Sequence, residues 1–136
     1  MLIPGVTAFL GFQLVAVFNN AFSQKLTREE QLLHVVAMFL TLVALLMLLT
    51  PAAYHRQSEP RWVSQGFLNL ASRLITGATP AFALGMTLDL YLVVRAVTES
   101  AIVAAVVAFV LLLMTVVLWY VIPRVEALAR ILRGGD

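Results

Sequence analysis

The chain has 136 residues, of which 62% are hydrophobic and only 12% charged, and its formal net charge is +2. A soluble domain has roughly 45–50% apolar and about 25% charged residues, so this composition excludes a soluble globular protein. The basic residues stand singly at the ends of apolar runs and form no stripe, which excludes nucleic acid as a partner. Cysteine is absent, so neither disulfides nor thiolate chemistry are available.

Four apolar segments follow one another along the chain. A bilayer core of about 30 Å needs roughly 20 apolar residues, and only a helix satisfies its own backbone there. The segments are Leu2–Phe22, Leu32–Ala53, Arg73–Val94 and Ser100–Ile122. We therefore predict an all-α integral membrane four-helix bundle with up-down-up-down topology, forming a single domain over residues 1–136.

Turn and capping residues predict the connections between these segments. Thr27 and Glu30 have the spacing of a capping box, in which each side chain binds the other's backbone N–H at the start of the second helix. Pro51 lies near the end of the second apolar run, so Tyr54–Glu59 is predicted to be a tight connection. From Arg61 the helical pattern continues to about Val97, which is about 55 Å of helix, so the third helix should project beyond the bilayer.

Positive charge predicts the orientation, because cytoplasmic ends of spans carry an excess of lysine and arginine. One side holds six of the nine basic residues, and we expect that side and both termini to be cytoplasmic. The six are Arg56, Arg61, Arg73, Arg124, Arg130 and Arg133, and the other three are Lys25, Arg28 and Arg95. Charged and apolar residues alternate in the tail Arg124–Arg133, which predicts a short amphipathic helix on the lipid surface.

Small residues at intervals of four predict where helices approach each other closely in lipid. The third span carries Gly77, Ala81 and Gly85 in one row. The fourth span carries Ala101 with Ala105, and also Ala104 with Ala108. We expect the row on the third span to pack against the small residues of the fourth.

A polar stripe marks the start of the third span. Its members recur at intervals of three and four residues and therefore share one helix face. They are Gln65, Asn69, Ser72, Arg73 and Thr76. Such a stripe lines a water-filled vestibule, binds a lipid headgroup through Arg73, or is simply the wet side of a projecting helix whose arginine reaches the interface.

Three further polar residues lie within the apolar runs. Asp89 is the only carboxylate inside a span and is thus the candidate for binding a proton or a cation. It follows Arg73 by about 24 Å of helix, so we expect it at the outer boundary, paired with Arg95 or facing water. Gln13 needs a partner on another helix, since an unpaired amide in hydrocarbon costs several kcal/mol. Asn19 is a second candidate for such a contact, although interfacial water would also explain it.

Motifs of enzymes are missing from the sequence. Phosphate-binding glycine loops, zinc-binding HExxH and nucleophile elbows do not occur, so no enzyme, cofactor or metal site is predicted. His34 and His55 lie at opposite ends of the second span and cannot share a metal.

Several segments together resemble an uncharacterised family of short four-span bacterial membrane proteins, some of whose members carry a sodium:proton antiporter label. The resemblance rests on Ile3-Pro4-Gly5-Val6, Phe18 to Phe22, Pro51-Ala52-Ala53-Tyr54-His55-Arg56, Asn69-Leu70-Ala71-Ser72-Arg73-Leu74 and Trp119-Tyr120-Val121-Ile122-Pro123. It implies the bacterial cytoplasmic membrane and a cytoplasmic segment before the first span. It implies no mechanism, and an antiporter would be expected to carry a carboxylate at mid-membrane.

These observations predict a non-enzymatic membrane protein that acts by assembly, either as a homo-oligomer or as an accessory subunit of a larger membrane complex. Its partners are then membrane lipid and other membrane subunits. The alternative is a homo-oligomeric ion channel or small-solute pathway, because four spans per chain cannot enclose a wide pore alone. A cation/proton antiporter is a third hypothesis, with Asp89 as its ion-binding residue.

Overall fold

The chain folds into helices joined by short connections. The computed structural model describes residues 2–58 and 63–125, and for Leu2 its backbone only. The helices are α1 (Leu2–Val17), α2 (Asn20–Lys25), α3 (Arg28–Ser58), α4 (Gln65–Thr98) and α5 (Ala101–Val116), which continues through a π-helical turn, Val117–Val121. The predicted all-α class is confirmed. The predicted start of the third helix at Arg61 is wrong, because Val63 and Ser64 are not helical and Ser64 caps α4. Arg61 itself and most of the tail Arg124–Arg133 lie outside the described residues.

Three of the described helices are long and apolar enough to cross a membrane, namely Arg28–Ser58, Gln65–Thr98 and Ala101–Val125. They contain the second, third and fourth predicted spans. α1 is shorter, with 16 residues. At 1.5 Å per residue it is about 24 Å long, less than the roughly 30 Å of a bilayer core.

The first predicted span, Leu2–Phe22, is wrong as a continuous helix. It breaks after Val17, and Asn19 caps a separate α2 by accepting a hydrogen bond from the backbone N–H of Ala21 at 2.9 Å. Asparagine competes with helical hydrogen bonding through such local contacts and favours caps. Apolar composition alone does not reveal this break, because Val17 and Phe18 before it and Ala21 and Phe22 after it all suit a helix in lipid.

The capping box at the start of α3 is confirmed. Thr27 donates its backbone N–H to the Glu30 carboxylate at 2.8 Å, and Glu30 donates its own to Thr27 Oγ1 at 3.3 Å. The predicted end of this helix is wrong, because α3 continues through Pro51 to Ser58. Tyr54 and His55 therefore lie in the helix, and their rings pack against Phe67 of α4 at centroid distances of 6.2 and 5.1 Å.

α4 is the central helix and packs against both α3 and α5, while α1 packs against α3. α3 and α4 are antiparallel, since the C-terminal part of α4 lies beside the N-terminal part of α3. α5 is joined to α4 near its other end, where Thr79 Oγ1 and the Tyr120 hydroxyl are 2.9 Å apart. α1 and α5 are thus at the two sides of the α3–α4 pair.

The seam between α3 and α4 is built from small side chains. A Cβ placed on Gly85 would lie 2.8 Å from Thr41 Oγ1 and 2.9 Å from the Ala37 carbonyl oxygen, both on α3. A Cβ on Gly77 would lie 2.6 Å from Cε of Met47, also on α3. The two helices therefore approach each other as closely as small residues in membrane helices allow.

The predicted partner of this glycine row is wrong. Gly77 and Gly85 contact α3, whereas Ala101 and Ala105 of α5 are exposed. α5 instead buries Ala104 and Ala108, the second pair of small residues that its sequence offers. The four alanines lie within one arc of about 100° around the helix, so only packing decides which of them is buried.

Candidate functional site

Three helices bring one polar residue each to a common point. His34 of α3 places Nδ1 2.8 Å from Asp89 Oδ1 of α4, and Gln13 of α1 donates its side-chain N–H to Asp89 Oδ2. His34 Nε2 lies 3.0 Å from the backbone carbonyl oxygen of Gln13. These contacts join α1, α3 and α4 through a single polar cluster, Gln13–His34–Asp89.

The geometry of the cluster locates its protons. A carbonyl oxygen only accepts, so His34 Nε2 carries a hydrogen that it donates to Gln13. At 2.8 Å the contact between His34 Nδ1 and Asp89 Oδ1 also needs one hydrogen between the two atoms, since two lone pairs would repel. The pair is therefore imidazolium with carboxylate or imidazole with carboxylic acid. Either form carries no net charge, which suits a site shielded from water.

All three side chains are buried, with residue exposures of 3% for Gln13, 4% for His34 and 8% for Asp89. A buried ion pair is tolerable only when further hydrogen bonds satisfy its remaining atoms, and removal of one partner leaves the other uncompensated. Here Gln13 supplies that support to the carboxylate. Phe22 of α2 covers the imidazole edge-on, with ring centroids 5.1 Å apart.

Two more charged pairs continue from the cluster to the ends of the helices. Glu30 and Arg95 are 3.1 Å apart, with side-chain exposures of 13% and 25%. Beyond them Lys25 pairs with Glu99, and these side chains are 49% and 68% exposed. Arg95 follows Asp89 by about 9 Å of helix. One pair between the end of α2 and the C-cap of α4, and a second pair between α3 and α4, thus lead from the exposed end inward to the buried cluster.

On the other side of the cluster the seam is closed. Thr41 is fully buried, and its hydroxyl donates to the Ala37 carbonyl oxygen at 3.0 Å instead of facing another polar side chain. Thr87 likewise donates to the Ala83 carbonyl oxygen at 2.8 Å. Beyond Asp89 on this side, the described residues of the α3–α4 seam carry no further ion pair.

A cavity of about 470 Å³ adjoins the cluster. Gln13, His34 and Asp89 form its polar end, and apolar and aromatic side chains of α1, α2 and α4 form the remaining wall. The aromatic ones are Phe9, Phe12 and Phe22. This volume lies within the roughly 300–1,000 Å³ of typical small-molecule sites, which combine a largely apolar wall with a few polar groups.

Residues 1–123 match DUF6328, a family of unknown function. The chain belongs to this family. The match includes every residue of the polar cluster and of the cavity, and it agrees with the resemblance to an uncharacterised family. No curated protein and no solved structure matches the chain.

Two of the predicted polar candidates in this DUF6328 chain meet in the cluster. Gln13 has its partner on another helix, and that partner is Asp89. The expected surroundings of Asp89, Arg95 or water, are wrong, because Asp89 is buried against His34 while Arg95 pairs with Glu30. The helical rise per residue gives the distance between Arg73 and Asp89 along α4, but it does not show which face of α4 Asp89 occupies. Asn19 lines the cavity but uses its side chain to cap α2.

The polar stripe lies elsewhere in the DUF6328 fold. All five of its residues are exposed, and Gln65 donates its side-chain N–H to Asn69 Oδ1 at 3.4 Å. The residues are Gln65, Asn69, Ser72, Arg73 and Thr76. The stripe is therefore a surface feature of the single chain, outside the cavity.

Sequence reasoning missed His34 as part of the site. The sequence pattern presents it only as a possible metal ligand at one end of the second span. The available signal was charge complementarity. Placing α3 and α4 antiparallel with Glu30 beside Arg95 brings His34, one turn further along α3, to the level of Asp89.

Proposed function

We propose that the protein is a non-enzymatic integral membrane protein of the bacterial cytoplasmic membrane. It acts by assembly, with copies of itself or as an accessory subunit of a larger membrane complex. Three apolar helices and the excess of arginine on one side support this placement. Its partners are membrane lipid and other membrane subunits.

The observation that carries the proposal is the position of small residues on outward faces of α1 and α5. A Cβ at Gly5 or Gly11 of α1 would have no atom within 4 Å. On α5, Ala101 and Ala105 are exposed one turn apart. A face that only meets lipid gains nothing from small residues, whereas close helix pairing in membranes depends on them. A second chain is the partner that these faces would accept.

The mass of the purified particle tests this proposal. Light scattering in nanodiscs should give a discrete multiple of the 14.9 kDa chain or a defined complex. Ala105→Phe should reduce that mass by blocking close approach, and Val106→Phe, at a neighbouring exposed position of α5, should leave it unchanged. A strict monomer that recovers no partner from the membrane would refute assembly.

The proposed topology has both termini in the cytoplasm. It requires α1 and α2 together to make a fourth crossing, for which α1 alone is about 6 Å short of the roughly 30 Å core. α4, with 34 residues or about 51 Å, then projects at its N-terminal end, and the tail forms the amphipathic helix on the lipid surface. Fluorescent-protein and alkaline-phosphatase fusions at each end test this, and opposite sides for the two termini would contradict it.

An ion-coupled role is the second candidate, and the buried Asp89–His34 pair favours it. Ionisable residues inside a membrane protein commonly bind protons or cations. Proton flux in liposomes should then fall on Asp89→Asn, while Glu99→Gln outside the spans should leave it unchanged. Equal flux in both variants would remove this candidate.

A homo-oligomeric ion channel or small-solute pathway is the alternative. It rests on the exposed stripe from Gln65 to Thr76, because copies of this stripe from several chains would line a shared pore. On the α3–α4 seam beyond the cluster, Thr41 and Thr87 bind carbonyl oxygens of their own helices, and the described residues form no ion pair there. Conductance of reconstituted protein, and its change on Thr76→Leu, distinguishes this alternative from assembly without a pore.

A further inference from the structure

The end of the helices that lies farthest from the polar cluster carries positive charge without acidic partners. Three exposed arginines lie there, namely Arg56, Arg73 and Arg124, and no ion pair of the described residues includes them. Every aspartate and glutamate in the described part of the chain lies in the other half of the helices, and these are Glu29, Glu30, Asp89 and Glu99. The described side chains at this end therefore attract an anion from outside the chain.

Tyr120 fixes the place of Arg124 beside α4. The Tyr120 hydroxyl and Thr79 Oγ1 are 2.9 Å apart, and the Thr79 hydroxyl donates to the Thr76 carbonyl oxygen at 2.8 Å, so Tyr120 is the donor to Thr79. The guanidinium carbon of Arg124 lies 5.9 Å from the centroid of the Tyr120 ring. An arginine that stacks on an aromatic ring keeps its N–H edge free to bind an anion.

Arg73 of α4 lies near the level of Arg124. It precedes Thr79 by about 9 Å of helix, and Arg124 lies about 6 Å beyond the contact of α5 with Thr79, in the same direction because α4 and α5 are antiparallel. At about 100° per residue, Ser72 and Thr76 occupy the part of α4 between the side that faces α5 and the side of Arg73. This places both hydroxyls between the two arginines.

The hydroxyls of Ser72 and Thr76 differ from the threonine hydroxyls elsewhere in the long helices. Every other threonine of α3, α4 and α5 donates to a backbone carbonyl oxygen of its own helix, and these are Thr41, Thr50, Thr79, Thr87, Thr98 and Thr115. Within the described structure Ser72 and Thr76 make no such bond, and both are exposed. Their O–H groups are therefore available as donors to a ligand.

A phosphate group on a lipid matches these donors. Arginine binds phosphate through two parallel N–H···O bonds, and hydroxyls donate to the same oxygens. A ligand with net negative charge is favoured over a zwitterion, whose own cation the arginines would repel. Exposed apolar side chains of α5, among them Leu113 and Val117, continue from the arginine and hydroxyl groups and suit acyl chains.

We propose that this phosphate patch, which consists of Ser72, Arg73, Thr76 and Arg124, binds the phosphate of an anionic phospholipid whose acyl chains lie along α5. Such binding rests on the proposed placement in a membrane, but it needs neither assembly nor a particular orientation of the chain. It names the class of lipid that the proposed function leaves open.

Two lipids with the same acyl chains test the binding. Palmitoyl-oleoyl phosphatidylglycerol is anionic, and palmitoyl-oleoyl phosphatidylcholine is zwitterionic. Titration of the full chain in detergent micelles, followed by native mass spectrometry, should give a Kd for the first bound phosphatidylglycerol at least about tenfold lower than for phosphatidylcholine, since each basic residue near lipid contributes about fivefold. Equal Kd values would overturn the assignment.

Matched arginine variants distinguish a site from diffuse surface charge. Arg73→Gln and Arg124→Gln should each reduce the preference for phosphatidylglycerol about fivefold. Arg56→Gln removes the same charge from an exposed position at the same end, but on α3, which packs on α4 at a different face from α5, and should retain the preference. An equal reduction in all three variants would show that charge alone attracts the lipid, and would overturn the assignment.

A threonine pair tests the hydroxyls without changing charge. Thr76→Val should weaken binding of phosphatidylglycerol about threefold, because one donor to a charged oxygen is lost. Thr50→Val changes an exposed threonine of α3 whose hydroxyl already binds the Leu46 carbonyl oxygen, and should leave the affinity unchanged. The same Kd in wild type and Thr76→Val would contradict the placement of the phosphate between the two arginines.

The remaining outcomes separate other occupants from a lipid. Displacement of phosphatidylglycerol by excess inorganic phosphate would identify the patch as a site for soluble anions and overturn the assignment. A lower particle mass in Arg73→Gln with unchanged lipid affinity would show that the patch binds a second copy of the chain, and would overturn it equally. A strict monomer refutes assembly but leaves the lipid titration intact, so the two proposals fail separately.

Discussion

His34 and Asp89 lie on different helices, 55 positions apart in the chain, with Nδ1 and Oδ1 separated by 2.8 Å. Each side chain is nearly removed from solvent, with exposures of 6% and 11%. The pair therefore holds α3 against α4 in one register, because a slip along either helix would separate the two groups, and no other ion pair of the described residues includes either of them.

Loss of one member of this pair should destabilise the fold strongly. We expect Asp89→Leu to lower the free energy of unfolding by about 3 kcal/mol, since it leaves His34 and the Gln13 amide buried without their acceptor. In the double variant His34→Leu with Asp89→Leu, the loss should be smaller than the sum of the two single losses by at least about 1 kcal/mol. Unfolding in mixed micelles, followed by circular dichroism, measures both. Additive losses would show that the two residues do not interact.

Glu30 has two separate roles that substitutions can divide. Its Oε2 accepts from the Thr27 backbone N–H, and its Oε1 pairs with Arg95. Glu30→Gln keeps an acceptor for the cap and loses only the charge. Glu30→Ala loses both, so its free energy of unfolding should be lower by about a further 1 kcal/mol. Glu29→Ala, one residue earlier and exposed, is the control and should change stability by less than about 0.5 kcal/mol.

Gly85 should not tolerate a side chain. An added Cβ meets Thr41 Oγ1 at 2.8 Å and the Ala37 carbonyl oxygen at 2.9 Å, and backbone cannot move aside cheaply. Gly85→Ala should therefore destabilise by about 1–3 kcal/mol. Gly11→Ala, where a Cβ meets nothing within 4 Å, should be neutral or stabilise the helix by up to about 1 kcal/mol. Thermal unfolding of the two variants compares them directly, and an equal response would argue against the close α3–α4 approach.

The contribution of the exposed Lys25–Glu99 pair to stability should decrease at acidic pH. Its hydrogen bond with Lys25 lowers the pKa of Glu99 below the ordinary value of 4.5. A lowered pKa in the folded state means that the stabilisation is fully present above that ordinary value and is lost as pH falls through the lowered pKa. Glu99→Gln should thus reduce the loss of stability on acidification.

Thermal unfolding of wild type and Glu99→Gln between about pH 7 and pH 3 measures this contribution. Both side chains are largely exposed, so we expect a small effect that high salt abolishes. A Glu99→Gln profile parallel to that of wild type at low salt would show that the pair contributes nothing to the pH dependence.

Local signals predicted several parts of the fold correctly. The Thr27–Glu30 capping box and the start of the last helix beside Ser100 depend on residues within one turn, and both agree with the structure. The break at Asn19 and the passage of α3 through Pro51 were not predicted. A single asparagine or proline is compatible with both a continued and an interrupted helix. In α3, packing of Tyr54 and His55 on Phe67 favours the continued helix.

By itself the sequence determined that this protein is helical and apolar enough for a membrane, because hydrophobic length and backbone hydrogen bonding are properties of each segment alone. Only the tertiary structure decided that Gln13, His34 and Asp89 meet, that Gly85 faces α3, and that Ala101 and Ala105 face outward. In a nearly uniform apolar helix no hydrophobic face indicates the inside. The rotation of each helix is set instead by small residues and polar pairs on its neighbours, which lie far away in the chain.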